Sequence, residues 1–514
     1  MGPWDIGTCA ALAAAMAAGL WRLRLRDPVG ADEGYLWYGT LQTLAGKLPH
    51  RDFKSYEPGR YLWCAAHMAV FGARLPILRA AAHAFYLLGL FVALGSLRSL
   101  GLGWATLALG AVALGAWAFP QHKLFEPALA MGAFAALQAL VRSPGPGTAA
   151  AGGLAVGLAL VFGFNLFLYF GAALALILAW LLATNAASAQ LLPWSLLGAA
   201  AAATPLLVPL VGSAAFRRAF IERRITAVLR RGTTNLRLPV PWPWCTAPPS
   251  LRALTPARRK AIGAVFLLLP ALPWLWLVGL ATNREVPSGD LGAAALAAAA
   301  LGAFAWHHAF SRADVSHLAQ SVVPVLLLLL LAAARSPHPP LLALLIVVAS
   351  ISLVAPIQPS AARRERPEAF ALRELAGARI TLTVEQRQLL DCVRLLRDVP
   401  GGAEGPLLAV PTLAWLYPML GLSAPVYDIF GVWPATSQEQ ARMIDELERS
   451  RASIALVANS TLDGREDLRF SATHPEVWRY LQDRFGGVEC ASLPADVHLF
   501  RARAERGTGG GTPR

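Results

Sequence analysis

Asp32-Glu33-Gly34-Tyr35-Leu36-Trp37-Tyr38, then Leu44-Ala45-Gly46-Lys47-Leu48-Pro49-His50-Arg51-Asp52-Phe53 and Tyr56-Glu57-Pro58-Gly59-Arg60-Tyr61, form a polar, aromatic-rich stretch in an otherwise apolar chain. Adjacent acids just after an apolar run, backed by Tyr35, Trp37 and Tyr38, place a carboxylate where lipid head groups meet water. Lys47, Arg51, Lys54 and Arg60 are close enough along the chain to neutralise a phosphate. Surface charges on an interfacial loop would use the same residue types.

The stretch is set in 514 residues that are 56% hydrophobic and only 15% charged, with mean hydropathy +0.49. A soluble domain carries about 25% charged residues, so a single water-soluble globule is excluded. A bilayer core needs about 20 apolar residues per helix. By that ruler, spans are expected at 7–25, 76–97, 101–119, 124–141, 191–211, 261–281, 291–310, 318–334 and 339–355, with two more in the uncharged run 148–184, which breaks near Gly163-Phe164-Asn165. The fold class is therefore mainly α: a polytopic membrane protein of about eleven transmembrane helices. The first segment, followed at once by Arg22, Arg24 and Arg26, reads as a retained signal anchor. The apolar run 61–71 is too short to cross and suits a helix lying in the interface.

Charge divides unevenly. The net +14 belongs wholly to the first 357 residues, because the tail from Gln358 carries 19 Lys+Arg against 20 Asp+Glu. Basicity confined to the membrane part points to anionic lipid heads or phosphate, not nucleic acid. The expected domains are 1–357, transmembrane, with a long loop at 26–75 and a basic loop at 213–260; 358–506, a small soluble α/β domain; and 507–514, a disordered Gly/Thr-rich tail. Strands are expected at 379–383, 406–410, 454–458 and 497–501, and helices near 385–397, 438–449 and 474–485. The basic loop, with Arg217, Arg218, Arg223, Arg224, Arg230 and Arg231, reads as a segment gripping anionic lipid. The five cysteines show no metal-ligand spacing; Cys392 and Cys490 can pair if the tail lies in an oxidising compartment.

Two further clusters carry candidate chemistry. In His122-Lys123-Leu124-Phe125-Glu126, Lys123 and Glu126 share a helical face, as an ion pair or as site residues. In Arg312-Ala313-Asp314-Val315-Ser316-His317, Asp314 and His317 lie one turn apart. That spacing suits an oriented acid/base histidine or a metal-ligand pair, and it equally suits an aspartate capping a helix from Val315.

The run 32–61 resembles the first extracytoplasmic loop of GT-C fold membrane glycosyltransferases. Within them it is similar to the bacterial branch, glycosyltransferase family 39-like, that includes aminoarabinose transferases of lipid A and protein O-mannosyltransferases. There an acidic residue or pair follows the first helix, and Gly-x-x-Pro-x-x-Asp-Phe and Tyr-x-Pro-Gly runs follow; here Gly46 to Phe53 and Tyr56 to Gly59 match in order. The tail, with Ile444-Asp445-Glu446-Leu447 and Phe470-Ser471-Ala472-Thr473-His474-Pro475, resembles the soluble C-terminal domain of that family.

The resemblance implies a bacterial cell-envelope enzyme of the inner membrane. It would transfer a sugar from a polyprenyl-phosphate donor to a lipid, glycan or protein acceptor at the extracytoplasmic face, where the C-terminal domain would also lie. Asp32 would be the catalytic base, supported by Glu33; Lys47, Arg51, Arg60 and Lys123 would bind the donor phosphate. Glu126, Asp314 and His317 stand as candidates for acid/base work or metal ligation. A divalent metal ion is allowed as cofactor and no other is implied. Asn165 stands where the family usually has a Lys-Pro or Lys-Gly, which leaves one donor contact unassigned.

With a cytoplasmic amino terminus, all three clusters and the tail fall on the extracytoplasmic side, as a shared site requires. The same count puts Arg22, Arg24, Arg26 and the basic loop outside, against the positive-inside tendency. Two other classes remain open: a GT-C-like scaffold without activity, and a transporter or lipid flippase. The latter would show charges within spans and internal repeats, which are scarce here.

Overall fold

A computed structural model describes residues 2–245, 251, 254–283, 289–398 and 405–503. The chain divides into two compact units. The first comprises Met1–Asp27, Gly39–Arg51 and Ser55–Pro367; the second comprises Pro28–Tyr38, Asp52–Lys54 and Glu368–Arg514. The expected tail 507–514 lies outside the described residues.

Along the chain come α1 (Pro3–Arg24), α2 (Ala31–Leu44), α3 (Pro58–Phe71), α4 (Leu75–Ser99), α5 (Trp104–Ala116), α6 (Phe125–Arg142), α7 (Pro146–Phe162), α8 (Phe164–Ala183) and α9 (Leu191–Gly212). Then follow α10 (Ala214–Phe220), a π-helical turn (Ile221–Ile225), α11 (Thr226–Arg231), α12 (Pro256–Asn283), α13 (Gly289–Ser311), α14 (Val315–Ser321), α15 (Val323–Ala334), α16 (Pro339–Val354) and α17 (Pro359–Glu365). Eight helices among the described residues are long and apolar enough to cross a bilayer, and α14 with α15, bent by 54°, make a further apolar pair with the form of a broken span or a re-entrant loop. The remaining two expected spans are the shorter α5 and α7, of 13 and 17 residues. At 1.5 Å per residue α5 reaches only about 20 Å, less than the hydrocarbon thickness.

The break expected near Gly163 is present, with Gly163 extended between α7 and α8. Breaking the helix frees the Phe162 carbonyl, and Arg60 Nε donates to it at 2.7 Å. In an apolar environment such a freed carbonyl must find a partner. The packing of α7 on α9 rests on small residues: a Cβ on Gly153 would stand 1.8 Å from Ser195 O, and one on Gly157 2.2 Å from Ala199 O. This is the close backbone approach that Gly-x-x-x-Gly spacing permits.

Ion pairs sort the helix ends of the first unit. At one end Asp5 meets Arg98 at 2.9 Å and Arg142 meets Asp290 at 2.6 Å. At the other, Arg79 donates to the Leu25 and Asp27 carbonyls, and Arg363 pairs with Asp27 at 3.3 Å. Within 26–75, expected as one long loop around a short helix at 61–71, that helix is present as α3, and α2 makes the rest more helical than expected. Pro58 opens α3 at a first-turn position, where its missing N–H costs nothing.

The second unit begins with a hairpin, β1 (Phe370–Leu375) and β2 (Ala378–Thr383), joined by Ala376 and Gly377. Both turn residues have positive φ, as a two-residue primed turn demands. Then come α18 (Val384–Asp398), β3 (Leu407–Val410), α19 (Leu416–Leu420), α20 (Ser437–Ser450), β4 (Ile454–Ala458), α21 (Phe470–Thr473), α22 (Pro475–Arg484), β5 (Phe485–Gly487) and β6 (Val497–Ala502). The sheet order is β3-β4-β6-β5, with β3 parallel to β4 and the other pairs antiparallel. The parallel pair β3–β4, at one side of the sheet, is buried along its length apart from half-buried Ala458, so these strands read as continuous apolar runs. A capping box starts α20, with Thr436 N donating to Glu439 Oε2 and Glu439 N to Thr436 Oγ1. The four expected strands and three expected helices are present, while β1, β5 and the short α19 and α21 were not expected. A disulfide joins Cys392 of α18 to Cys490, the pairing the sequence had left open.

Candidate functional site

The acid pair opens α2 inside the second unit. Asp32 is half-buried and Glu33 buried, both in the first helical turn, where the helix N-terminus favours negative charge. Gly34 explains how this turn is seated, since a Cβ there would lie 2.4 Å from Trp415 Cβ and 2.7 Å from Trp415 Cα. Tyr35 stacks on Phe430 at 4.9 Å, and Tyr38 packs 5.1 Å from Tyr417 and accepts from Ala424 N at 3.1 Å. Lys54 closes the arrangement by donating to Asp428 Oδ2 at 2.6 Å and to Phe430 O at 3.1 Å. Burial works against the Asp428 carboxylate, but the Lys54 ammonium holds it below the usual carboxylate range.

The cations gather in the first unit around Tyr56-Glu57-Pro58-Gly59-Arg60. Arg60 is buried and pairs with buried Glu126 at 2.8 Å. Its guanidinium lies 5.2 Å from the Tyr56 ring centroid and 5.7 Å from that of Phe125, and Lys123 Nζ stands 4.2 Å over Tyr56. Arg60 Nη1 and Glu126 Oε2 remain buried with no hydrogen-bond partner among the described residues.

The basic insert closes on the same run. Arg224 of the π-helical turn pairs with Glu57, and Arg223 Nη1 donates to Arg51 O at 3.1 Å. Burial pushes the Glu57 carboxyl up, yet Arg224 and then Arg60 outweigh it and hold it down to about 2. Burial, with Arg224 adding to it, pushes His50 down to about 3, so its ring is neutral. His50 packs edge-on against Phe220 at 5.3 Å.

Asp314 caps α14, accepting from His317 N at 2.9 Å and His317 Nδ1 at 2.8 Å, while Arg312 Nε donates to it at 2.8 Å. The His317 ring lies 5.1 Å from that of His308, whose Nε2 meets Gln320 Oε1 at 3.1 Å. Helices α13 and α14, which carry His308 and His317, both pack on α6, which carries Glu126. Arg60, Lys123, Glu126 and the His308–His317–Asp314 chain are therefore neighbours, although the sequence shows them as three separate clusters. Lys47 is exposed in the turn after α2, and Arg51 is half-buried beside Arg223.

No group of three or more His, Cys, Asp and Glu among the described residues could hold a metal ion. Asp314 Oδ1 is engaged by His317, so this pair is a hydrogen-bonded unit. The sequence did not single out Arg224 as a site residue, nor Lys54 with Asp428, nor His308. Arg224 was visible only as one of many arginines in a segment read as gripping lipid.

Two solved structures share this arrangement of helices and sheet. ArnT from Cupriavidus metallidurans bound to undecaprenyl phosphate superposes with TM-score 0.56 at 13% identity, covering 96% of this chain and 98% of the other. The fold is GT-C-like. The apo state of the same ArnT gives TM-score 0.53 at 14% identity, covering 95% of this chain and 97% of the other. No family model and no curated protein matches the sequence. With its apolar helices, the GT-C-like fold makes this a multi-pass membrane protein.

Proposed function

We propose that this chain is a membrane glycosyltransferase moving a sugar from a polyprenyl-phosphate-linked donor to an acceptor at the extracytoplasmic face of the inner membrane, with Asp32 as catalytic base. The observation that carries the reading is the gathering of Arg60, Lys123 and Arg224 about Tyr56 and Glu57 within a GT-C-like fold. The ArnT structure that shares the fold was solved with undecaprenyl phosphate, which is the class of ligand such a cation cluster suits.

In this reading the acceptor hydroxyl attacks the anomeric carbon in line with the leaving phosphate. Its proton passes to Asp32, the sugar–phosphate bond breaks with its electron pair going to the phosphate, and the anomeric configuration inverts. Negative charge grows on the phosphate in the transition state, where fixed cations contribute most. Lys123 supplies one such charge. Arg60 is held by Glu126 and Phe162 O and offers its remaining Nη1, while Arg224 is kept in place by Glu57 until donor arrives. Lys47 and Arg51 are the outlying members of the set. Glu33, buried beside Asp32, supports the base, and His317 with Asp314 forms an oriented pair able to relay a proton.

The disulfide supports the membrane face, because such bonds persist in oxidising compartments.

The test is transfer of radiolabel from undecaprenyl-phosphate-linked sugars into membranes containing the wild-type chain or Arg224→Ala. The proposal expects transfer from at least one donor and about a hundredfold loss in the variant. Absence of transfer from a panel of hexosyl and pentosyl donors would leave a GT-C-like scaffold as the better account.

A further inference from the structure

The acid pair belongs to the C-terminal unit by packing, although it lies near the start of the chain. Residues Pro28–Tyr38 and Asp52–Lys54 cluster with Glu368–Arg514, not with the helices on either side of them. Four independent contacts hold them. Val29 O accepts from Gln386 Nε2 at 2.6 Å, just ahead of α2. Gly34 lies so close to Trp415 that no side chain fits between them, and the nearest atoms include backbone that cannot give way. Tyr35 stacks on Phe430, and Lys54 bridges Asp428 and the Phe430 carbonyl, with Lys54 N also donating to Tyr427 O at 3.1 Å.

The seat is itself built firmly. Tyr417 OH accepts from Ala409 N at 2.9 Å, which ties the Trp415 region to the end of β3. Thr383 and Gln386 cap α18 reciprocally, at 3.0 and 3.1 Å, which holds the Gln386 side chain that reaches Val29. Asp428 Oδ1 accepts from Phe430 N at 3.0 Å while Oδ2 takes Lys54. Each contact therefore ends on an element of the folded domain.

We propose that the C-terminal unit is the positioning scaffold of the general base, with Trp415, Phe430 and the Lys54–Asp428 clasp as positioning residues that fix the first turn of α2. This rests on the reading of Asp32 as base. It assigns the soluble domain a part in the chemical step, since a misplacement of about 1 Å at a reacting group costs on the order of a hundredfold in rate. The donor cations, carried by the other unit, are not held by this clasp. Loosening it lowers turnover and leaves donor binding intact.

The test uses the full chain in lipid nanodiscs with three readouts: binding of undecaprenyl phosphate, transfer rate, and amide hydrogen exchange over 28–44. The variants are Lys54→Met, Asp428→Asn, the charge swap Lys54→Asp with Asp428→Lys, and Gly34→Ala. The single variants are expected to raise exchange in 28–44 at least about tenfold and to cut turnover about a hundredfold. Undecaprenyl phosphate binding is expected to stay within about twofold, and the swap to recover both turnover and protection. Unchanged exchange in 28–44, or wild-type turnover with exchange raised, overturns the proposal. Asp32→Asn in the same assay separates the two ideas, because full activity there removes the base assignment whereas the exchange data judge the scaffold alone.

Discussion

Arg224, from the π-helical turn of the basic insert, is paired with Glu57, the residue that precedes Pro58 at the start of α3. Five-residue π turns are uncommon and recur at functional sites. Here the turn delivers one arginine of a long basic run onto a buried carboxylate, with Arg223 beside it on the Arg51 carbonyl. The pairing turns a segment that reads as lipid-facing into a wall of the cation cluster.

The first prediction concerns acid. The folded protein holds Glu57 at about 2 and His50 at about 3, both below the values these groups have in an unfolded chain. A group depressed in the folded state contributes stability above its unfolded value and loses it as pH falls toward the folded one. The loss therefore starts near pH 6.5, through His50, and continues through Glu57 from about 4.5 to 2. Thermal unfolding in detergent is expected to show His50 alone removing about 2–3 kcal/mol by about pH 4.5. In His50→Gln the upper part of that fall flattens; an unaltered profile would contradict the buried neutral ring.

The second prediction concerns the Arg60–Glu126 pair, both members of which are only 4% exposed. Removing one partner strands the other charge in a dry site. Arg60→Met is expected to cost about 3–5 kcal/mol of stability, and the double variant Arg60→Met with Glu126→Leu to recover most of it. Donor binding tells the two variants from a purely structural pair: the double variant refolds the site but does not restore affinity for undecaprenyl phosphate.

The α7–α9 contact supplies a third. Gly157→Leu puts a side chain against the Ala199 carbonyl, where a Cβ alone would come within 2.2 Å. The variant is expected to lose its folded yield in membranes, while Gly132→Leu, with nothing within 4 Å of its Cβ position, keeps it.

Much of this architecture is legible in the sequence because it is set locally. Apolar run lengths locate the spans, Gly163 marks the break, and buried strands such as Ile454–Ala458 read as unbroken apolar segments. The helix α2 was hidden because glycine and aromatics lower its apparent propensity, and only contacts with Trp415 and Phe430 explain why they are there. No local pattern could show that Asp32 and Lys54 pack with a domain that begins more than 300 residues later. Asp314 was readable as a helix cap, and the cap is present, with the His317 ring as a further donor to it. Arg224 could not be told from its arginine neighbours by composition.

Orientation gives a fourth prediction. Cys245, in the insert, is exposed, Cys9 and Cys64 are buried, and Cys392 and Cys490 are joined. A membrane-impermeant maleimide applied to spheroplasts is expected to label Cys245 at once, and Cys392 and Cys490 only after reduction. Labelling of Cys245 only after the membrane is permeabilised would place the cation cluster on the cytoplasmic side.

The central claim is that Asp32 takes the acceptor proton. Its most direct test is the single-turnover rate of sugar transfer from an undecaprenyl-phosphate donor by Asp32→Asn and Asp32→Glu in nanodiscs. Donor affinity is expected to be unchanged in both, with transfer lowered by at least about a thousandfold in Asp32→Asn and partial activity in Asp32→Glu. Transfer by Asp32→Asn at the wild-type rate would contradict it.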